Sequence, residues 1–147
     1  MKVGFTGTQE GMTKHQQFSV WNVLHDHKCT EFHHGDCIGA DHEAAFIAEH
    51  EGHRVVSHPP DNPSKRAFFR GDVVMVEKPY LERNHDIVNA VDLMVATPKE
   101  TEEQLRSGTW ATIRYAKKQG KPLAIIYPDG TTEIHNDPRT SMELDKE

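Results

Sequence analysis

Cysteine is scarce: the 147 residues hold only Cys29 and Cys37, too few for a disulfide scaffold and without the Cys-x-x-Cys spacing of a zinc or redox site. A reducing, cytoplasmic setting is therefore expected. Long apolar runs are missing too. Hydrophobic residues make up 35% of the chain, but they come in short runs broken by Gly, Pro and polar residues, well short of the roughly 18 consecutive apolar residues of a membrane span. Met1 to Phe5 leads straight into a strand-like run, without the charged flank and apolar core of a secretory leader. Positive charge is in deficit, 17 Lys plus Arg against 23 Asp plus Glu for a net −6. Phosphate repulsion then argues against general nucleic-acid binding unless a basic patch is concentrated somewhere.

Several catalytic signatures are absent. No G-x-G-x-x-G follows the first strand and no G-x-x-x-x-G-K-[ST] occurs anywhere, which argues against a dinucleotide dehydrogenase or a P-loop NTPase. The 11 histidines, dense among His25, His27, His33, His34, His50, His53 and His58, form no HExxH or Cys/His ligand spacing. No metal site and no cofactor is expected. Ser107 lacks a G-x-S-x-G elbow and reads as a phosphate donor rather than a nucleophile.

What is present is an alternation of β-branched runs and helical patterns. It predicts an α/β fold, a Rossmann-like three-layer sandwich around a mostly parallel sheet of about five strands, built as one domain over 1–147. Strands are expected at Val3–Phe5, Thr30–His33, Arg54–Ser57, Asp92–Ala96 and Leu123–Tyr127. Helices are expected from a Thr13 cap to about His27, with Phe18, Trp21 and Leu24 on one face, and from Asp41 to His50, stopped by Gly52. Two more are expected from Arg83 to Val91 and from Thr109 to Gln119, the last closed by Gly120 and Pro122. Pro59-Pro60 ends the third strand. The segment 58–82 that follows is either a functional flap or hides a short element at Phe68-Phe69 or Val73–Val76. After a turn at Pro128-Asp129-Gly130, the polar residues 131–147 read as an edge strand plus a tail.

Ligands of open parallel sheets sit beyond the carboxyl ends of the strands, where this chain places three glycine-bearing turns. These are Thr6-Gly7-Thr8, the run His34-Gly35-Asp36-Cys37-Ile38-Gly39-Ala40-Asp41, and Ser107-Gly108-Thr109. Glycine backbones and Ser or Thr hydroxyls on one edge offer donors to an anion, so a phosphate-bearing ligand is the expected occupant. Each glycine alone is equally compatible with a tight βα turn. The flap holds one basic cluster, Lys65, Arg66, Arg70, Lys78 and Arg83. A charge run is commonly a solvated face, but this one leaves strand three on the glycine edge, and Lys65, Arg66 and Arg70 are expected to close over the site. From the start of its helix, Arg83 can fork two hydrogen bonds onto phosphate or carboxylate; the alternative is a surface ion pair. Asp41 reads either as a ligand acceptor or as the N-cap of the second helix.

Taken together, Phe5-Thr6-Gly7-Thr8, the turn His34 to Asp41, Arg83-Asn84 with Ile87-Val88, and Ser107-Gly108-Thr109 resemble the SLOG superfamily of Rossmann-like proteins over roughly Met1 to Gly130. Small stand-alone bacterial and phage members share this combination. The resemblance implies a nucleotide or nucleotide-derived ligand with its phosphate near Thr6, Gly7, Thr8, Gly35, Asn84, Ser107, Gly108 and Thr109. In that superfamily the Lonely guy branch hydrolyses the N-glycosidic bond of nucleoside 5′-monophosphates, and the DNA-processing A branch binds single-stranded DNA. Other members bind molybdenum cofactor or sense nucleotide-like signals. The hydrolase branch's catalytic Arg falls on Arg83, whereas its catalytic Glu falls on Thr112. A carboxylate for activating water must then come from Asp36, Asp41, Glu82 or Asp86, of which Asp36 and Asp41 are best placed to reach a ribose. Two readings follow: a phosphoribohydrolase-like enzyme acting through Arg83, Asp36 and Asp41, or a non-catalytic sensor or sponge for a nucleotide signal. Single-stranded DNA binding is a third, opposed by the net charge. Helix-mediated pairing among relatives implies a homodimer or higher homo-oligomer, with Phe18 and Trp21 as interface candidates.

Overall fold

Side-chain alternation along the central strands decides how the layers stack. In the computed structural model, which describes residues 1–138, Leu93 and Val95 of one strand face a core shared with Val3, Phe5, Phe32 and Leu24. Their neighbours Met94 and Ala96 face a second core with Ile87, Val88, Trp110 and Ile113. A strand buried on both faces is the mark of a parallel sheet covered by helices on each side.

The chain runs β1 (Lys2–Gly7), α1 (Lys14–Asp26), β2 (Glu31–His34), α2 (Ala40–His50), β3 (Arg54–Ser57), a single 3-10 turn at Pro63–Lys65 and β4 (Val73–Val74). It continues through α3 (Tyr80–Ala90), β5 (Leu93–Thr97), α4 (Gly108–Lys118), β6 (Leu123–Ile126) and β7 (Thr132–His135). The strand order is β4-β3-β2-β1-β5-β6-β7, parallel except for the antiparallel β6–β7 pair. Helices α1 and α2 cover one face and α3 and α4 the other. Close approach of α3 is permitted by Gly4 on β1, where a Cβ would lie 2.6 Å from Met94 Sδ and 2.9 Å from Ile87 Cγ2.

Among the described residues the sheet has seven strands rather than about five, and both additions are edges. Two-residue β4 is too short to show a hydrophobic period. It is held by the Asp72 N–H donating to Val55 O at 2.9 Å and the Val55 N–H donating to Asp72 Oδ2 at 2.8 Å. The edge strand expected in the polar tail is β7, and residues 139–147 lie outside the described part of the chain.

Helix α1 starts as expected, with a reciprocal capping box between Thr13 and Gln16. Its buried face is Gln16, Val20, Val23 and Leu24, not the Phe18-Trp21-Leu24 stripe, and Phe18 is 67% exposed. Hydropathy misassigns Gln16 because the amide finds partners inside, donating to Pro98 O at 2.8 Å and Ile126 O at 3.0 Å. Helix α3 begins at Tyr80, three residues before the expected Arg83, since Pro79 has no N–H to leave unpaired and its carbonyl accepts from the Arg83 N–H. Helix α2 is entered from Gly39 rather than capped by Asp41. Gly39 has φ +88°, and a Cβ there would overlap the Gln9 backbone, so no other residue fits. Among the described residues no helix is long and apolar enough to cross a membrane.

Candidate functional site

Connections leave β1 toward β2 on one side and β5 toward β6 on the other, while β1 and β5 lie side by side. Such a reversal opens a crevice beyond the carboxyl ends of the two strands, and a cavity of about 460 Å³ occupies it. The end of β1 contributes Thr6, Gly7 and Thr8, the β2–α2 turn Gly35, and the first turn of α2 Asp41. Arg83 and Asn84 reach it from α3, and Ser107, Gly108 and Thr109 from the start of α4. The three glycine turns and the Arg-Asn pair therefore meet in one place.

Asp36, Lys65, Arg66 and Arg70 do not line the cavity. Asp36 is fully buried, with Oδ2 accepting from Arg66 Nε at 2.8 Å and Oδ1 from the Phe69 N–H at 2.8 Å. Its backbone oxygen accepts the Ala67 N–H at 2.7 Å. Asp36 thus pins the flap to the β2–α2 turn, and Arg66 is spent on that anchor. Lys65 and Arg70 are exposed. The sequence pattern could place these groups on the right edge but not aim them.

Arg83 is buried and largely consumed by the protein. Nε donates to Asn84 Oδ1 at 2.8 Å, Nη1 to Gly35 O and to His58 O, and Nη2 to Cys37 Sγ at 3.6 Å. It clamps the ends of β2 and β3 to α3, so the expected fork onto a ligand is mostly spent on carbonyls. The glycines answer to protein neighbours as well. A Cβ on Gly35 would lie 2.7 Å from Arg83 Nη1, and one on Gly108 would overlap the Tyr80 hydroxyl.

At the start of α4 the Ser107 Oγ accepts the Trp110 N–H at 3.2 Å. The N–H groups of Gly108 and Thr109 have no carbonyl one turn back to bond. Arg106 stands beside them on the cavity wall. Lys99 pairs with Glu10 at 2.9 Å across the mouth, and Glu100 accepts from Trp110 Nε1 at 3.0 Å. Tyr80 forms a side wall, its ring 5.4 Å from the Arg83 guanidinium carbon. Arg106, Lys99 and Tyr80 were not singled out from sequence. The first two sit in a connection without periodicity, and only the charge of Arg106 next to the helix-opening Ser107 offered a clue.

Burial dominates the electrostatics. Asp41 Oδ2 accepts the N–H groups of Gly35 at 2.9 Å and Cys37 at 3.3 Å. Desolvation raises its pKa to about 6 despite the opposing pull of Arg83 and those two N–H groups. The Cys37 thiol is pushed up by burial and then by Asp41. His34 accepts the Asp36 N–H on Nδ1 at 2.9 Å, so its Nε2–H donates to Ser57 Oγ at 2.9 Å. Burial lowers its pKa to about 3 and that of His58 to about 4. Thr112 is buried outside the cavity wall and its hydroxyl donates to Gly108 O at 3.0 Å.

No family model and no curated protein matches the chain. Solved structures do. A molybdenum cofactor binding protein from the phototrophic bacterium Rippkaea orientalis aligns with TM-score 0.67 and 18% identity over 98% of this chain and 81% of that one. The Moco carrier protein from Chlamydomonas reinhardtii aligns with TM-score 0.63 and 18% identity over 99% and 82%. The structural-genomics target TM1055 aligns with TM-score 0.60 and 18% identity over 83% and 71%. At such identities the likeness concerns the fold alone, a Rossmann-like α/β fold, in keeping with the fold class expected from the sequence.

Proposed function

We propose that the protein binds a phosphorylated ribose or nucleotide derivative in the crevice between β1 and β5. The observation that carries this reading is the convergence on one cavity of the open α4 N-terminus, the Ser107 and Thr109 hydroxyls and Arg106, facing Thr6 and Thr8 across the strand ends. Helix N–H groups and a guanidinium are the donors an anionic group needs. Asn84 and the positive field of Arg83 support the same pole, while Asp36, Lys65, Arg66 and Arg70 have no part in it. That two proteins of this fold are described as binding or carrying a small-molecule cofactor supports ligand binding as the coarse activity.

Holding the ligand, rather than converting it, fits the state of the carboxylates. Glu10 is paired with Lys99, Glu100 holds the Trp110 indole, and Thr112 offers no acid. One observation favours N-glycosidic hydrolysis as a second reading: Asp41, with a pKa near 6, lies in the range suited to a general acid or base. Mass spectrometry of the protein incubated with nucleoside 5′-monophosphates separates the two. A nucleotide retained intact by the wild type and lost with Arg106→Ala is expected, free base released by the wild type would make it a hydrolase, and neither outcome would leave no support for the phosphate pole.

A further inference from the structure

The charges lining the crevice balance, with Glu10, Asp41 and Glu100 against Arg83, Lys99 and Arg106. A receptor for a bare anion has no use for as many carboxylates as cations, because each carboxylate repels the ligand. Four of the six already have a side-chain partner. Glu10 and Lys99 neutralise each other, Glu100 is taken by Trp110, and Arg83 is spent on Gly35 O, His58 O, Asn84 and Cys37. Two remain: Arg106, which has no side-chain partner among the described residues, and the Oδ1 of Asp41.

Asp41 is 5% exposed and forms no ion pair within 4.0 Å among the described residues. Both of its protein hydrogen bonds fall on Oδ2. Oδ1 has no hydrogen-bond partner among the described residues and Asp41 is part of the cavity wall, so this oxygen is open to a donor brought by a ligand. Asp41 enters from the first turn of α2, which covers one face of the sheet, and Arg106 from the connection into α4, which covers the other.

We infer that Asp41 is a specificity-determining residue: its Oδ1 accepts a hydrogen bond from an O–H or N–H donor on the part of the ligand remote from the anionic group, so the crevice selects donor-bearing phosphomonoesters over plain phosphates. This rests on the phosphate pole proposed above. Ribose hydroxyls and the ring N–H of a nucleobase present the same chemistry to a carboxylate oxygen, and a charged acceptor on a largely buried residue makes a strong bond to either.

Calorimetric titration of the intact protein with four probes tests it. Inorganic phosphate and methyl phosphate carry no remote donor, ribose 5-phosphate carries sugar hydroxyls, and 2′,3′-dideoxyinosine 5′-monophosphate carries only a ring N–H. The wild type should bind at least one donor-bearing probe about tenfold or more tightly than methyl phosphate, as expected for a hydrogen bond to a charged acceptor; which one identifies the source. Asp41→Asn, which keeps the shape but turns a donor toward the cavity, should abolish that preference, while methyl phosphate should bind at least as well as to the wild type because a repelling carboxylate has gone. Equal wild-type affinity for all probes, or a preference that survives Asp41→Asn, overturns the inference while leaving the phosphate pole intact. Failure of every probe to bind overturns both. If Asp41→Asn does not fold, Asp41→Ser takes its place: a preference that it loses supports the inference and one that it keeps overturns it.

Discussion

Arg83, Gly35 and Asp41 are locked to one another, and each predicts a different failure. A methyl group added by Gly35→Ala would press on Arg83 Nη1 and Asp41 Oδ2, so it should destabilise the protein by about 2 kcal/mol, the scale of overpacking in a rigid site. Urea denaturation measures this, and an unchanged midpoint would show that Arg83 can move. Acid stability is set by groups of opposite sign. The depressed His34 and His58 stay neutral in the fold while the unfolded chain takes up protons, so they contribute stability above pH 6.5 that is lost as the pH falls toward 4 and 3. Asp41, with its raised pKa near 6, contributes stability below about pH 4 that is lost as the pH rises through 6. Between pH 4 and 6 the unfolded chain binds a proton on each of two histidines and the folded chain one proton on Asp41, so net stability should rise with pH. Denaturation curves at pH 4.5 and 6.5 test the sign, and His58→Gln should flatten the difference.

Helix entry and flap anchoring belong to the elements. Thr13 closes the α1 capping box, and Thr13→Ala should cost about 1 kcal/mol in thermal or urea unfolding without touching the crevice. The flap between β3 and α3 carries little apolar burial and depends on Asp36, which holds Arg66 and the Phe69 N–H. Asp36→Ala should therefore speed tryptic cleavage after Lys65, Arg66 or Arg70 severalfold. Unchanged cleavage would mean that the Cys37–Arg66 and Pro60–Lys78 bridges suffice. A flap fastened in this way is held to the β2–α2 turn, with Lys65, Arg66 and Arg70 off the cavity wall.

At the level of the whole molecule, the net charge of −6 and the position of the flap cations away from the cavity argue against nucleic-acid binding. Single-stranded oligonucleotides should produce no salt-sensitive mobility shift, and such a shift would revive the DNA-binding reading. A ligand that binds only the folded state raises its stability by mass action, by about 2.7 kcal/mol at a hundred times its dissociation constant. Melting temperature should accordingly climb with phosphate concentration in the wild type and much less in Arg106→Ala.

The α/β class, the position of every central strand to within a residue or two and the meeting of the three glycine turns were legible in the chain, because strand and helix periods, caps and βα turns are local patterns. The crevice followed from the rule for open parallel sheets. Orientation did not follow. That Asp36 turns to the flap while Asp41, five residues on, turns to the crevice depends on the left-handed φ of 51° at Asp36 and on which N–H groups lie nearby. That Arg83 is a clamp and Arg106 a free cation depends on carbonyls contributed by β2 and β3. Edge strand β4 is held to β3 by Asp72 on Val55 and by the Met75 N–H on Ser57 O, partners that no local pattern announces. A side chain's partner is chosen by residues distant in the chain, and only the folded chain brings them within hydrogen-bonding reach.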